Sequence, residues 1–451
     1  MDRDDPLIQR ARPVHAAAPG RDIGLLRRVA SVYRRGPGSL LNLSLYAAGL
    51  TGLWTAVTFV IIQFRLLAIV DPSQKIVALT TITLVGLVFP AIVQPVAGGF
   101  SDRSRNRLGK RGPYILFGGG GLAIATMLVG FADSFMSLLL AYCLMQVMGN
   151  IAQGPANALL IDHVPVNRRG AAAGALTFAR SIGAGIAVVG TLLLLSHAPT
   201  QEMSLWMWLA LALISGMALL SAGWTSLAIR PRPDSDAVVP GPEGPADETE
   251  AEGPAPRTRE FIWFLAAFTI ATGTMSVLSR FAIFFLQDVV GLENPARGAL
   301  ILSISVVGGV ALSVLPAGIL SDRMGRMPIL LAGGLVGSVS VASLAFIDTL
   351  PALVVAGLAV GVSSGALLSV AWALANDLVK PSKAGRNLSY TSTAMLFGAG
   401  IPLAAGILVE VLNRRADDLG YRVMIGAVAI AFVIFPLMLI RLKAARVRRR
   451  P

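Results

Sequence analysis

Acidic residues are missing from the middle of every long apolar stretch in this 451-residue chain. Charged side chains make up only 14% of it and hydrophobic ones 55%. A soluble fold of this length has no way to hide that much apolar surface, so lipid must cover a large part of it. There is one cysteine, Cys143, inside an apolar run, and an intrachain disulfide is therefore excluded. The three histidines, His15, His163 and His197, are scattered and build no catalytic or metal-binding constellation. No Gly-Lys-Ser/Thr phosphate loop occurs, which argues against ATP hydrolysis. The run Gly118 to Gly121 lies within an apolar stretch rather than after a strand, so it reads as helix packing. Neither enzyme chemistry nor a cofactor or metal is expected.

What is present is apolar sequence in spans. Twelve stretches reach the length of about 20 residues that a membrane helix needs. They lie at 39–63, 76–100, 113–132, 135–161, 170–195, 203–229, 261–287, 298–320, 328–347, 350–377, 386–410 and 422–441. The net charge of +13 is not a nucleic-acid footprint, because no basic folded domain stands outside the spans. Its Lys and Arg residues crowd the loops after the second, fourth, eighth and tenth spans, among them Arg103, Arg107, Arg111, Arg168, Arg323, Arg326 and Lys383. The opposite loops are poorer. By the positive-inside rule both termini are expected in the cytoplasm, with the chain in the cell inner (plasma) membrane. No cleavable signal peptide is visible in residues 1–38.

The chain is written twice. Gly98-Gly-Phe-Ser-Asp-Arg103 returns as Gly318-Ile-Leu-Ser-Asp-Arg323, and Asp102 and Asp322 are 220 residues apart. Asp162 and Gly170 return as Asp377 and Gly385, each 215 residues on. Between the copies, 230–260 is rich in proline and acid and carries few hydrophobes, the composition of a disordered linker. The fold class is thus an all-α membrane protein of 12 transmembrane helices, in two six-helix bundles related by pseudo-two-fold symmetry. Its expected parts are a cytoplasmic tail (1–38), a first bundle (39–229), the linker (230–260), a second bundle (261–441) and a basic tail (442–451).

Gly318-Ile-Leu-Ser-Asp-Arg-Met-Gly-Arg326 resembles the loop motif of the major facilitator superfamily. The segment from Gln94 to Ile115, and Gly149-Asn-Ile-Ala-Gln-Gly-Pro-Ala-Asn-Ala-Leu-Leu-Ile-Asp162, look like the sucrose–proton symporters. Those belong with the glycoside–pentoside–hexuronide:cation symporters and related bacterial sugar carriers. The resemblance implies alternating access and a pore lined by the first, fourth, seventh and tenth helices. Plant sucrose symporters have an Asp where this chain has Gln146 and an Arg where it has Asn157. Replacing both charges by amides avoids an unpaired charge in the membrane, and also removes the expected proton carrier.

Gln146, Asn150, Gln153 and Asn157 fall on one helical face, where amides would suit a hydroxylated solute or glue the bundle. Trp54 and Thr58 in the first span, Ser276 and Arg280 in the seventh and Trp372 in the tenth are further substrate-binding candidates. Arg280, near the outer third, is placed to snorkel. Arg180 counts to roughly 15 Å inside the fifth span, where an arginine must face a cavity or a partner. Asp102, Arg103 and Arg107, with Asp322, Arg323 and Arg326, are expected to form a gating cluster, and Asp162 is the candidate for proton coupling. The function expected is transport of a small polar organic solute, a sugar or glycoside first, with coupling open between protons, sodium and none. The competing expectations are an exporter of amphipathic compounds and a non-transporting assembly factor of the same fold.

Overall fold

The computed structural model describes residues 40–104, 106, 109–164, 169–198, 204–228, 258–347, 349–378, 398 and 400–447. The expected N-terminal tail and nearly all of the linker lie outside these residues. The described chain is helical: α1 (Leu40–Ile69), α2 (Lys75–Arg103), α3 (Gly112–Gly130), α4 (Phe135–His163), α5 (Arg169–Leu195) and α6 (Leu205–Ala228), then α7 (Thr258–Asp288), α8 (Pro295–Met324), α9 (Arg326–Ser343), α10 (Leu350–Leu378), α11 (Ile401–Asn413) and α12 (Leu419–Val447). Eleven of these are long and apolar enough to cross a membrane. The exception is α11, whose expected first half falls outside the described residues.

Local signals set the boundaries. Ser134 caps α4 reciprocally with Ser137, and Asn294 caps α8 just ahead of Pro295. Gly325, at φ +91°, makes the turn between α8 and α9 that a side chain would oppose. Within α1, Val57–Ile61 forms a π-helical turn, a local widening often found beside functional groups.

The two halves repeat one pattern of contacts. In the first, α1 packs on α5 and α6, α2 on α4, and α3 on α4 and α6. In the second, α7 packs on α11 and α12, α8 on α10, and α9 on α10 and α12. The halves meet where α2 touches α11, α5 touches α8 and α1 touches α7, again in symmetric fashion. Small residues permit the closest crossings: a Cβ on Gly183 would strike the carbonyl of Ala48, and one on Gly361 that of Val306. The face carrying the start of α1 and the ends of α2, α4, α8, α10 and α12 is called proximal below. The other face is distal.

Candidate functional site

At the proximal face, Arg111 opens α3 and bridges two carboxylates, Asp102 at 2.5 Å and Asp162 at 3.0 Å, while also donating to Ser101 Oγ at 2.6 Å. The second copy repeats part of this, with Arg326 on Asp322 at 2.5 Å and on Ser321 Oγ at 2.8 Å. In each repeat the motif aspartate therefore pairs with an arginine opening the next helix, not with the adjacent Arg103 or Arg323, both of which are exposed. Arg107 lies outside the described residues. These proximal ion pairs each stay within one half. Arg111→Ala leaves two carboxylates facing each other without their cation, and should lower stability by about 1–2 kcal/mol, read as the unfolding midpoint in detergent.

Among the described residues, three side-chain bonds are seen to tie the halves together, and all three sit toward the distal face. Lys75 at the start of α2 meets Asp288 at the end of α7 at 2.5 Å, and Tyr421 of α12 donates its hydroxyl to the same carboxylate at 2.9 Å. Asn294 donates to the carbonyl of Ser196 at 3.0 Å. Arg280 donates to Thr83 Oγ1 at 2.9 Å and lies 5.3 Å from the centroid of Phe59, on the π-helical turn of α1. Next to the lysine bridge, burial and then the Asp288 carboxylate push the Asp418 carboxyl above its ordinary range.

Beneath Arg280 runs a polar ladder. Tyr142 neighbours Arg280 and Thr58, and its hydroxyl accepts from Gln146 Nε2 at 2.9 Å. Asn150 Nδ2 donates to the Gln146 carbonyl at 2.7 Å and to its Oε1 at 3.3 Å, and Gln94 Nε2 donates to Asn150 Oδ1 at 2.6 Å. The indole of Trp54 lies over Gly149, where any larger residue would displace it. The arrangement combines a guanidinium, a phenol, amides and two aromatic rings at the junction of the halves. It offers donors, acceptors and stacking faces and lacks a nucleophile with a base beside it, so it suits binding rather than covalent chemistry.

The family model for the MFS/sugar transport protein matches residues 47–413. The chain belongs to this family. It is a multi-pass membrane protein of a transporter family. Over 99 residues it is 30% identical to the sucrose transport protein SUC4 of Arabidopsis thaliana, covering 18% of this chain and 19% of that one. Over 97 residues it is 36% identical to the multidrug resistance protein MdtG of Proteus mirabilis, covering 22% of this chain and 23% of that one. The matched stretches thus span about a fifth of these curated relatives. Among solved structures, a bacterial homologue of the human lysosomal transporter Spinster, in an inward-facing and occupied conformation, superposes with a TM-score of 0.62 at 17% identity. That alignment covers 95% of this chain and 98% of the homologue. The nucleoside transporter NupG superposes with a TM-score of 0.61 at 12% identity, covering 89% and 99%. Identities this low show the fold alone.

Within this family fold the α4 stripe divides. Gln146 and Asn150 are buried, and Asn150 is bonded across to Gln94 of α2, whereas Gln153 is half-buried and Asn157 exposed, joined to each other at 2.6 Å. Ser276 turns its hydroxyl back to the Thr272 carbonyl at 2.8 Å. Arg280 does not snorkel; it crosses to the other half. α5 begins at Arg169, and eleven residues on Arg180 neighbours the Tyr46 phenol, six residues into α1. On α5, Leu176, Gly183, Ala187 and Thr191 are buried and Phe178, Ile182, Ile186 and Leu193 exposed. Arg180 falls on the buried side by helical spacing and is nevertheless exposed, so it opens onto the space between helices. Arg65, which shares the first-span stripe, instead holds the carbonyl of Ala132 at the end of α3, next to Asp133. The side chain of Trp372 lies outside the described residues. Tyr142 and Gln94 carry the ladder yet were not among the candidates, although Tyr142 sits one turn before Gln146 on the same stripe.

Proposed function

We propose that this protein carries a sugar or glycoside across the cell inner membrane by alternating access, with both termini in the cytoplasm. The observation that carries the reading is the Arg280–Tyr142–Gln146–Asn150 assembly, which joins side chains of both halves at the point where the bundles meet. Amides and a phenol match hydroxyls in donor–acceptor pairs, and Trp54 and Phe59 supply faces for the apolar side of a pyranose ring. The proximal side, basic by sequence, is the cytoplasmic one, so bonds concentrated at the distal face correspond to a state closed outward. Gln153, Asn157 and Arg180 then line the cytoplasmic opening. The match to a sucrose transporter supports the same substrate class. Asp162, tied to Arg111, acts in this scheme within the cytoplasmic gate together with Asp102, Asp322 and Arg326.

Proteoliposomes containing the protein should show saturable uptake of a labelled glycoside. Asn150→Ala breaks the Gln94 bond and exposes the Gln146 amide, and should reduce uptake at least tenfold. Uptake unchanged in Asn150→Ala would remove the ladder from the pathway. Pyranine-loaded vesicles report in the same preparation whether solute entry moves protons. The match to MdtG favours a second reading, export of amphipathic compounds. Dye efflux from intact cells without any glycoside flux would establish it instead.

A further inference from the structure

Within the apolar stretches, away from the helix ends, two arginines stand without an acidic partner among the described residues: Arg180 and Arg280. Each neighbours a neutral phenol, Tyr46 and Tyr142 respectively. Lys75, Arg111, Arg326 and Arg414 each have a carboxylate, and Arg65 has a helix-end carbonyl with Asp133 close by. We propose that Arg280 receives an anionic group of the transported solute, and that this contact replaces its bond to Thr83, so that the solute itself loosens the distal closure. The proposal rests on the transporter reading above and narrows its solute to one carrying an oxyanion.

Three observations converge on it. A guanidinium presents five N–H donors, yet here its hydrogen bond goes to one neutral hydroxyl and its Nε is buried without a partner. A cation held in the membrane interior without a counter-charge is unfavourable, and a planar oxyanion answers both the charge and the unused donors in a bidentate fork. The residue is also part of the closure. Arg280 belongs to the second half and Thr83 and Phe59 to the first, so a ligand that engages the guanidinium competes with a bond that spans the halves. Arg180 lies at the level of Tyr46, thirteen residues before Phe59 on α1, or about 20 Å nearer the proximal face. An anion entering from that side meets Arg180 first and Arg280 at the end of the cleft.

The test uses the full chain in lipid nanodiscs and titration calorimetry with three probes. p-Nitrophenyl glucuronide and p-nitrophenyl glucoside differ only in a carboxylate against a hydroxymethyl group, and naphthalene-2-sulfonate is an anion without a sugar. The glucuronide should bind at least tenfold more tightly than the glucoside. Arg280→Gln should erase that preference, and Arg280→Lys should retain part of it. Thr83→Val removes the competing bond and should tighten anion binding several-fold, a gain that misfolding would not produce. Binding of the sulfonate with neither glycoside keeps the anion site and rejects the sugar reading. Equal affinity for the two glycosides keeps the sugar reading and overturns the anion site, as does a preference that survives Arg280→Gln. Failure of all three probes to bind overturns it too.

Discussion

Asp288→Asn should open the distal face. Lys75 is 7% exposed and Asp288 23%, so the bond between them is largely withdrawn from water, and the Tyr421 hydroxyl adds a second hydrogen bond to the same carboxylate. Removing the charge of Asp288 strands a nearly buried ammonium. Breaking such a pair costs about 3 kcal/mol, the low end for buried bridges because the carboxylate keeps some solvent. The cost falls only on the arrangement in which α2 and α7 touch, since separating the halves returns Lys75 to water. A difference of that size moves the balance between the two arrangements roughly a hundredfold. Spin labels on Ser73 and Glu293, both exposed in distal loops, report it in a Cys143→Ser background. The expected result is a longer distance population in Asp288→Asn and in Lys75→Met, and recovery of the short one in the charge-swapped Lys75→Asp, Asp288→Lys pair. An unchanged distance in both single variants would mean that the bridge does not hold the face closed.

The physics behind that bridge also explains what the sequence could and could not reveal. Twelve apolar spans and a repeat in register are properties of composition and periodicity, and the helices and their duplicated packing follow them closely. Hydrophobic periodicity assigns a residue to a face of its own helix, so the amide stripe on α4 was legible as one face. It does not name what stands opposite. Lys75 and Asp288 are 213 residues apart and Thr83 and Arg280 are 197 apart, and no local pattern joins them. The same gap explains Asp102, expected in a cluster with Arg103 and Arg107, which is joined instead to Arg111 and through it to Asp162.

Gly183→Ala should destabilise the protein severely, while Gly185→Ala, two residues away on the same helix, should be silent. Lipid-exposed helices gain nothing from burying apolar surface against one another, so their association depends on how closely backbones approach. At the crossing of α1 and α5 that approach is made by Gly52 and Gly183: a Cβ on Gly52 would sit 2.8 Å from the Gly183 carbonyl oxygen, and one on Gly183 would collide with the carbonyl of Ala48. The obstacle in both cases is backbone, which cannot rotate away as a side chain can. One methyl group therefore forces the helices apart and loosens the contact of Ala187 with Gly52. Overpacking of this kind costs about 3 kcal/mol where nothing can yield. Gly185 has open space at the corresponding position, and its alanine gains a little helix propensity instead. Thermal unfolding followed by size-exclusion fluorescence should show a large drop in midpoint for Gly183→Ala alone. Because Tyr46 and Arg180 flank this crossing, the separation should also displace the arginine from the opening it lines, so uptake by any Gly183→Ala protein that survives should fall as well. Equal midpoints for the two alanine variants would show that α1 and α5 are held by something other than this backbone contact.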